Sequence, residues 1–284
     1  MAMGVDPGEN LRRATQLIAQ AAERGAELVC LPELFLQRYF CQHEDVRHFD
    51  LAEPIPGPTT EALAAVARRE RVALIVPLFE RRAPGVFHNS AVLLAADGTR
   101  VGVYRKMHIP DDPGFYEKYY FAPGDLGFPA FELAGRRVGV LICWDQWYPE
   151  AARLAALHGA SVLFYPTAIG WHPHEKQAEG AAQREAWRTV QRGHAIANGV
   201  YVAAANRVGH EPGPTGSAGI EFWGSSFVCD PQGTVLSEGG EADEQVVLAT
   251  VDSSRVEQVR RHWPFWRDRR IDAYADLQRR FIDE

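Results

Sequence analysis

The chain has 284 residues, of which 46% are hydrophobic and 24% are charged, a balance that is ordinary for a globular protein. Its formal net charge of −7 argues against nucleic acid as a partner, because binding to phosphates favours a basic surface. The apolar runs are far too short to cross a bilayer, and the four cysteines match no disulfide or zinc pattern, so we expect a cytoplasmic protein without a membrane partner.

Short apolar runs alternate with amphipathic stretches along the whole sequence. Consecutive apolar positions are typical of strands covered on both faces, and apolar residues at helical spacing predict amphipathic helices. The predicted helices cover residues 9–25, 59–71, 148–159 and 183–199, and the predicted strands cover residues 26–35, 72–80, 90–98, 100–106, 137–145, 160–168, 199–208 and 245–252. Turns between paired strands are predicted at Gly98 and Gly233. This alternation, without linkers or repeats, predicts one α/β domain over residues 1–284.

The predicted strand over residues 137–145 runs into Cys143, within the stretch VGVLICWDQWYPE. A cysteine in a cytosolic protein is most often a small buried hydrophobic residue. This one, however, lies at the carboxyl end of a strand, where open α/β sheets bind their ligands. The N–H groups of the helix predicted next would favour a thiolate and would also bind an oxyanion. We therefore expect Cys143 to be an activated nucleophile.

Two other predicted strands end in a charged residue. Glu33 follows the apolar run of VCLPELF, and Lys106 ends the strand in VGVYRKMHIP. Each alone would ordinarily be a solvated surface charge, but strand ends of a parallel or mixed sheet can converge on one rim. A nucleophilic thiol needs a base and a group that stabilises developing negative charge. The sequence therefore predicts that Glu33, Lys106 and Cys143 meet around one cavity.

The motifs PELF, YRKMHIP and ICWDQWYPE resemble the catalytic motifs of the nitrilase superfamily of carbon–nitrogen hydrolases. The resemblance covers essentially the whole chain, including LPELFLQRYFCQ, HIPDDPGFYEKYYFAPGD, YPTAIGW and WGSSFVCDPQG. It implies an α/β fold of the nitrilase type, a four-layer αββα sandwich. The first strand of that family precedes the first helix, so residues 1–3 would be the end of a strand that is otherwise missing. We therefore expect a truncated first strand, explained by a misplaced start or a sequence fragment, and, if the chain begins at residue 1, a low stability and aggregation.

Carried over residue by residue, the resemblance implies that Cys143 is the nucleophile and Glu33 the general base. It implies that Lys106 stabilises the oxyanion, together with the backbone N–H of Trp144. Glu117, in FYEKYYFAPGD, matches a second glutamate that positions the lysine and the substrate. Titratable groups of opposite charge in one dry pocket shift one another's pKa values, so a proton can move between them at neutral pH. No metal and no organic cofactor is implied.

Within the superfamily, the sequence is most similar to the enzymes that hydrolyse N-carbamoylputrescine in polyamine biosynthesis. That resemblance implies a small carbamoyl-amine substrate, which is cleaved to putrescine, carbon dioxide and ammonia through a carbamoyl-cysteine intermediate. Tyr39 and Trp144 match positions that wall the carbamoyl end in similar enzymes, although plain core packing explains each equally well. The ammonium group of the substrate needs a carboxylate or an aromatic face, for which Asp145, Glu175 and Glu179 are candidates.

Two other functions stay open on the sequence. One is hydrolysis of another carbamoyl-amine or an ω-amide, for example N-carbamoyl-β-alanine or an N-carbamoyl amino acid. Those substrates carry a carboxylate, which would favour an arginine in the pocket. The loop GWHPHEKQAEG offers glutamates instead. The other is a non-catalytic interaction protein on a nitrilase scaffold, which the presence of Glu33, Lys106 and Cys143 argues against. Because members of the superfamily commonly form dimers and larger assemblies, we expect a homo-oligomer.

Several remaining residues are expected to be structural. The potential metal ligands in CQHEDVRH and WHPHE have spacings that match no standard site, so no metal is expected at Cys41, His43, His48, His172 and His174. His108 is expected to be a hydrogen-bonding group, and Cys30 and Cys229 are expected to be core residues. The basic stretch RDRR near the C-terminus is expected to be an oligomer contact or a solvated face.

Overall fold

Two β-sheets lie face to face between two layers of helices in the computed structural model of the protein, which describes residues 1–282. The helices are α1 (Pro7–Glu23), α2 (Pro58–Glu70), α3 (Glu117–Tyr120), α4 (Pro149–Leu157), α5 (Lys176–Asn198) and α6 (Ser253–His262). The strands are β1 (Leu28–Cys30), β2 (Ala73–Ala83), β3 (Val86–Leu94), β4 (Arg100–Arg105), β5 (Ala130–Leu133), β6 (Arg136–Val140), β7 (Val162–Pro166), β8 (Gly170–Trp171), β9 (Tyr201–Ala205), β10 (Val208–Glu211), β11 (Ile220–Trp223), β12 (Phe227–Cys229) and β13 (Val235–Glu238). Among these helices, none has the combination of length and apolar composition that crossing a bilayer requires.

The first sheet has the strand order β1-β2-β3-β4, with β1 parallel to β2 and the other neighbours antiparallel. Successive side chains of a strand point to opposite faces, so each strand of this sheet contributes to two cores. One face packs against α1 and α2 through Leu74, Val76, Val92 and Leu94. The other face packs against the second sheet through Ala73, Ile75, Ala91 and Leu93.

The second sheet has the order β13-β12-β9-β7-β6-β5, in which β6, β7 and β9 are parallel and the outer strands are antiparallel. Helices α4 and α5 pack against this sheet through small residues that belong to its core, namely Ala151, Ala155 and Ala195. The layers therefore follow the order helices, sheet, sheet, helices, which agrees with the predicted αββα sandwich. A smaller antiparallel sheet consists of β10, β11 and β8.

Most predicted elements are present, and their ends differ from the prediction. The strand predicted over residues 26–35 is reduced to β1, and the strand predicted over residues 137–145 ends at Val140. The turns predicted at Gly98 and Gly233 connect β3 to β4 and β12 to β13. Both glycines have positive φ angles, 80° and 75°, which glycine adopts without the steric penalty of other residues.

The prediction of a strand over residues 245–252 is wrong. This segment lines a cavity of about 520 Å³ whose walls also include residues of β1, β7 and β9. A strand needs a hydrogen-bonded neighbour, and the cavity lies between this segment and the edge of the first sheet. Met1 also lines the cavity and is buried, and its carbonyl oxygen accepts the N–H of Val208 at 3.1 Å. Residues 1–6 form no strand, so the expected strand end at residues 1–3 is not found.

Candidate active site

Three predicted site residues meet behind the ends of three strands. Glu33 lies three residues beyond β1, Lys106 directly follows β4, and Cys143 lies three residues beyond β6. All three are buried, with 0% of Glu33, 0% of Lys106 and 5% of Cys143 exposed. The side-chain nitrogen of Lys106 lies 2.8 Å from Oε1 of Glu33, and the thiol of Cys143 interacts electrostatically with both groups. The structure therefore brings Glu33 and Lys106 into contact, and Cys143 is buried where both charges shift the pKa of its thiol.

Glu117 provides a second carboxylate to the same pocket. It is the first residue of α3, it is buried, and its Oε2 lies 2.7 Å from Nζ of Lys106. Burial alone would lower the pKa of Lys106, but Glu117 and Glu33 outweigh burial and raise it well above its ordinary value. Lys106 is therefore a cation held between two carboxyl groups. Burial raises the pKa of Glu117, and repulsion by Glu33 raises it further, whereas Lys106 lowers it without cancelling the rise.

Hydrogen bonds fix both carboxyl groups and leave one oxygen of Glu33 open. Asn89, which is buried on β3, donates from Nδ2 to Oε1 of Glu33 at 2.7 Å and to Oε2 of Glu117 at 3.4 Å. The Tyr39 hydroxyl donates to Oε1 of Glu117 at 2.6 Å. Oε2 of Glu33 is buried and has no hydrogen-bond partner among residues 1–282. Because buried polar atoms are nearly always paired, this oxygen can accept a proton or a ligand donor.

Cys143 occupies a strained backbone position at a sharp turn. Its φ angle is 44°, in the left-handed region, where a residue other than glycine is strained by about 1 kcal/mol or more. It opens a 3-10 turn over Cys143–Trp147, and its sulfur lies 3.9 Å from the carbonyl oxygen of Ala168. Such strain persists only when the surrounding structure holds it, and it is common at functional sites.

The surroundings of Cys143 favour the protonated thiol. Burial raises its pKa well above the ordinary value, Glu33 and Glu117 raise it further, and Lys106 only partly opposes the shift. Burial and the two carboxyl groups therefore oppose the thiolate that a helix N-terminus was expected to favour. The residue opens a short 3-10 turn, and the α-helix begins only at Pro149. Chemistry at this sulfur thus requires a base that removes the proton as the sulfur attacks.

Asp145 holds the turn that presents Cys143. It is fully buried and accepts four hydrogen bonds, from the backbone N–H of Ile142 at 2.9 Å, the Tyr104 hydroxyl at 2.6 Å, and the backbone N–H and Nδ1 of His108 at 3.0 and 2.7 Å. Its candidacy for binding a substrate ammonium is therefore wrong, because both oxygens are already occupied. The expectation that His108 is a structural hydrogen-bonding group is confirmed.

Comparison with known proteins gives the family of this site. A model of the carbon-nitrogen hydrolase family matches residues 2–261. The chain belongs to the carbon–nitrogen hydrolases of the nitrilase superfamily. It is 44% identical to an N-carbamoylputrescine amidase from Solanum lycopersicum, over 96% of this chain and 90% of that protein. It is 40% identical to a citrullinase from Francisella tularensis, over 96% of this chain and 94% of that protein. A crystal structure of a carbon-nitrogen hydrolase from Helicobacter pylori G27 has a TM-score of 0.96 and 48% identity, and the match covers 99% of this chain and 97% of that one.

Other predicted binding residues of this carbon–nitrogen hydrolase differ in burial. Tyr39 is buried, and its ring packs against Phe115 at a centroid distance of 5.5 Å. Trp144 is half-buried and directly follows the cysteine. Glu175 is half-buried at the residue before α5, whereas Glu179 is exposed on the first turn of that helix. Of the candidates for an ammonium partner, Glu175 and Glu179 thus stay open.

The structure brings together two histidines whose spacing predicted no metal site. Ligand atoms of His43, Asp45 and His48 lie within 4.8 Å of one another. The carboxylate of Asp45 already accepts the backbone N–H and the guanidinium of Arg47. Nδ1 of His48 lies 3.1 Å from the Tyr120 hydroxyl. Two of the three potential ligands, Asp45 and His48, therefore already have hydrogen-bond partners within the protein.

Sequence reasoning missed two residues that hold this pocket. Asn89 binds both carboxyl groups, and Arg207 donates three hydrogen bonds to main-chain carbonyls at Glu33 and Leu34. Each had a weak signal in the sequence. Asparagine is depleted in strands, yet Asn89 lies two residues before the apolar run AVLLAA. Arg207 lies two residues beyond the apolar run YVAAA.

Proposed function

We propose that this protein is a thiol amidohydrolase that cleaves N-carbamoylputrescine to putrescine, carbon dioxide and ammonia. The observation that carries the proposal is the pocket itself. A buried thiol lies with a cationic Lys106 and with Glu33, whose Oε2 has no hydrogen-bond partner among the described residues. These are the nucleophile, the electrostatic stabiliser and the proton acceptor that hydrolysis of a ureido group requires.

In the proposed first half-reaction, the sulfur of Cys143 attacks the ureido carbon of R-NH-CO-NH2 while Glu33 takes the thiol proton. Negative charge develops on the ureido oxygen, and Lys106 and the backbone N–H of Trp144 stabilise it. Glu33 then passes the proton to the departing nitrogen, and ammonia leaves. The product of this step is a carbamoyl-cysteine thioester.

In the proposed second half-reaction, Glu33 removes a proton from water, which attacks the thioester carbon. The carbon–sulfur bond breaks, and the proton returns to the Cys143 sulfur. The released N-substituted carbamate loses carbon dioxide and gives the free amine. Glu117 orients Lys106 in both steps through its 2.7 Å contact, and Tyr39 orients Glu117 through its hydroxyl. Tyr39 and Trp144 are proposed to wall the carbamoyl end.

The cationic tail of the substrate is consistent with the charges of the protein. Two carboxyl groups share one ammonium in the pocket, and the whole chain has a formal net charge of −7. Glu175 and Glu179 are the candidates for contact with the substrate ammonium. The high identity to a plant N-carbamoylputrescine amidase supports the same substrate. A homo-oligomeric state stays a prediction.

Citrulline hydrolysis is the second candidate, favoured by the 40% identity to a citrullinase. Citrulline carries the same ureido end, so the same nucleophile and base would act on it. The two substrates differ at the other end, where citrulline has a carboxylate beside its ammonium. The choice between them therefore depends on groups outside the pocket of Glu33, Lys106 and Cys143.

Ammonia release from a substrate panel tests the proposal. The panel contains N-carbamoylputrescine, citrulline, N-carbamoyl-β-alanine and an ω-amide, each with wild-type protein and with Cys143→Ala. The expected result is the highest kcat/KM for N-carbamoylputrescine and no release by the variant. A higher kcat/KM for citrulline or N-carbamoyl-β-alanine would replace the proposed substrate. No release from any of them by folded protein would refute the enzymatic function and favour an interaction protein.

A further inference from the structure

A second buried ion pair lies behind the loop that carries Glu33. Arg207 lies two residues beyond β9, and Glu211 is the last residue of β10. Arg207 is 0% exposed and Glu211 is 2% exposed, and Nη1 of Arg207 lies 2.8 Å from Oε1 of Glu211. Charged side chains are rarely buried to this extent, so their other hydrogen bonds indicate the role of the pair.

The guanidinium of Arg207 binds the main chain of residues 33–37. Nε and Nη2 donate to the carbonyl oxygen of Glu33 at 3.2 and 2.9 Å, and Nη2 donates to that of Leu34 at 2.6 Å. Nη1 donates to the carbonyl oxygen of Gln37 at 3.0 Å. Leu34 has a φ angle of 48°, a left-handed conformation that leucine keeps only where its surroundings hold it. Arg207 thus holds the strained turn that carries Glu33.

Glu211 extends the same support towards Glu117. Its Oε2 accepts the backbone N–H of Tyr39 at 2.5 Å, and the guanidinium of Arg207 lies 5.8 Å from the centre of the Tyr39 ring. The hydroxyl of Tyr39 donates to Glu117 at 2.6 Å. One ion pair therefore binds the main chain at both Glu33 and Tyr39, and each of these residues has a side chain in the pocket.

We propose that the buried pair of Arg207 and Glu211 positions the general base of the reaction. The proposal rests on the role proposed above for Glu33. Neither member of the pair touches a reacting group, so both are positioning residues that act through the backbone of Glu33 and Tyr39. Arginine suits this role because its planar guanidinium offers five donors in a fixed geometry, whereas lysine offers three donors on one rotating nitrogen.

Amide hydrogen exchange in Arg207→Lys tests the structural part without any substrate. The expected result is faster exchange of peptides that cover residues 33–40, because the lysine cannot reach all of the carbonyls that the guanidinium binds. The matched control is Arg260→Lys, because Arg260 also donates to main-chain carbonyls, those of Asn198 and Ala160. Unchanged exchange over residues 33–40 in Arg207→Lys would overturn the proposal.

Kinetics of a double mutant test whether the pair acts through Glu33. On the best substrate of the panel, Arg207→Lys should lower kcat about 10- to 100-fold and change KM by less than about threefold, since a small misplacement of a catalytic group has effects of this size. In a Glu33→Gln background, the same substitution should change kcat by less than about threefold, because the group that it positions is already absent. Arg260→Lys should leave kcat unchanged within about twofold in both backgrounds.

Independent effects would contradict the proposal. If Arg207→Lys lowers kcat by the same factor with and without the Glu33→Gln change, the arginine is a general structural residue and not a positioning residue. If Arg207→Lys does not fold, Glu211→Gln replaces it, because the amide oxygen can still accept one hydrogen bond, and the same non-additivity with Glu33→Gln is required. A protein that hydrolyses nothing in the panel would refute the proposed function, whereas the exchange measurement would still report on the loop.

Discussion

Two neighbouring residues at the end of β4, Arg105 and Lys106, each form a buried or nearly buried ion pair. The two pairs differ in whether every carboxylate oxygen has a hydrogen-bond partner. Successive residues of an extended chain point in opposite directions, so the two side chains reach different carboxylates. Arg105 binds Glu80 through Nε and Nη2 at 2.8 and 2.6 Å. The Ser90 hydroxyl also donates to Glu80, at 2.6 Å, so both oxygens of this carboxylate are paired.

The pair at Lys106 is not saturated in this way. Two carboxyl groups share one ammonium, and Oε2 of Glu33 has no partner within the described part of the chain. The pKa values of the carboxyl groups at the two sites shift in opposite directions. Burial would raise the pKa of Glu80, but the hydrogen bonds from Arg105 and Ser90 outweigh burial and lower it. For Glu117, burial prevails and the pKa rises. We infer that a free acceptor and an excess of carboxyl groups separate a reactive pair from a structural one.

Removal of the proposed nucleophile should have the largest effect on activity. Cys143→Ala is expected to lower kcat by about 10⁴-fold or more, because the covalent path is lost. Ammonia release under saturating substrate measures this. Cys229→Ala is the control, since Cys229 is also buried but lies on β12, and its activity should stay within about threefold of wild type. A Cys143→Ala protein with wild-type activity would disprove covalent catalysis by this residue.

Glu33→Gln should separate chemistry from stability at the reactive pair. We expect kcat to fall about 10³-fold, because the amide cannot accept the thiol proton. The free energy of unfolding should change by about 1 kcal/mol, because the amide oxygen can still accept a hydrogen bond and Lys106 keeps its charged contact with Glu117. Urea unfolding beside the kinetic assay checks both numbers. A large loss of stability with little loss of activity would reverse the assignment of this pair.

Glu80→Gln should have the opposite effect, on stability more than on chemistry. It leaves the guanidinium of Arg105 with Asp125 as its remaining charged partner, 2.8 Å away and largely exposed. We expect the protein to lose about 2–3 kcal/mol of unfolding free energy, and kcat to fall by less than about tenfold. Equilibrium unfolding in urea measures the loss. If kcat falls as far as in Glu33→Gln, the two pairs do not differ in the way proposed here.

The raised pKa of Cys143 should have the smallest of these effects, a change in how the free energy of unfolding depends on pH. Burial, with help from Glu33, raises the pKa of Cys143 above the ordinary value of 9.0. Above pH 9.0, the unfolded chain therefore loses this proton while the folded chain keeps it, and the free energy of unfolding falls as the pH rises. Above pH 9.0, the free energy of unfolding of Cys143→Ala should fall by about 1.4 kcal/mol less per pH unit than that of the wild type. Urea unfolding of both proteins at several pH values from 8 to about 10.5 checks this, and parallel curves would contradict it.

Much of the site could be predicted because its residues lie directly behind apolar runs. Glu33, Lys106 and Cys143 each follow a strand that the local pattern predicted, and Glu33 and Lys106 are in contact in the structure. Asn89 and Arg207 were missed because their roles depend on partners in distant segments. The strand over residues 245–252 was predicted wrongly for a related reason, since an apolar run becomes a strand only beside an edge that can pair with it.

The sequence by itself determined that short apolar strands form and that Glu33, Lys106 and Cys143 lie at or just beyond their carboxyl ends, because apolar periodicity and turn residues act over a few positions. Only the tertiary structure decided the state of those groups. Burial and neighbouring charges favour the charged form of Lys106 and the neutral thiol of Cys143. Lys106 and Glu33, which hydrogen-bond at 2.8 Å, are 73 positions apart in the chain. Coulomb forces depend on distance in space, which only the folded chain defines.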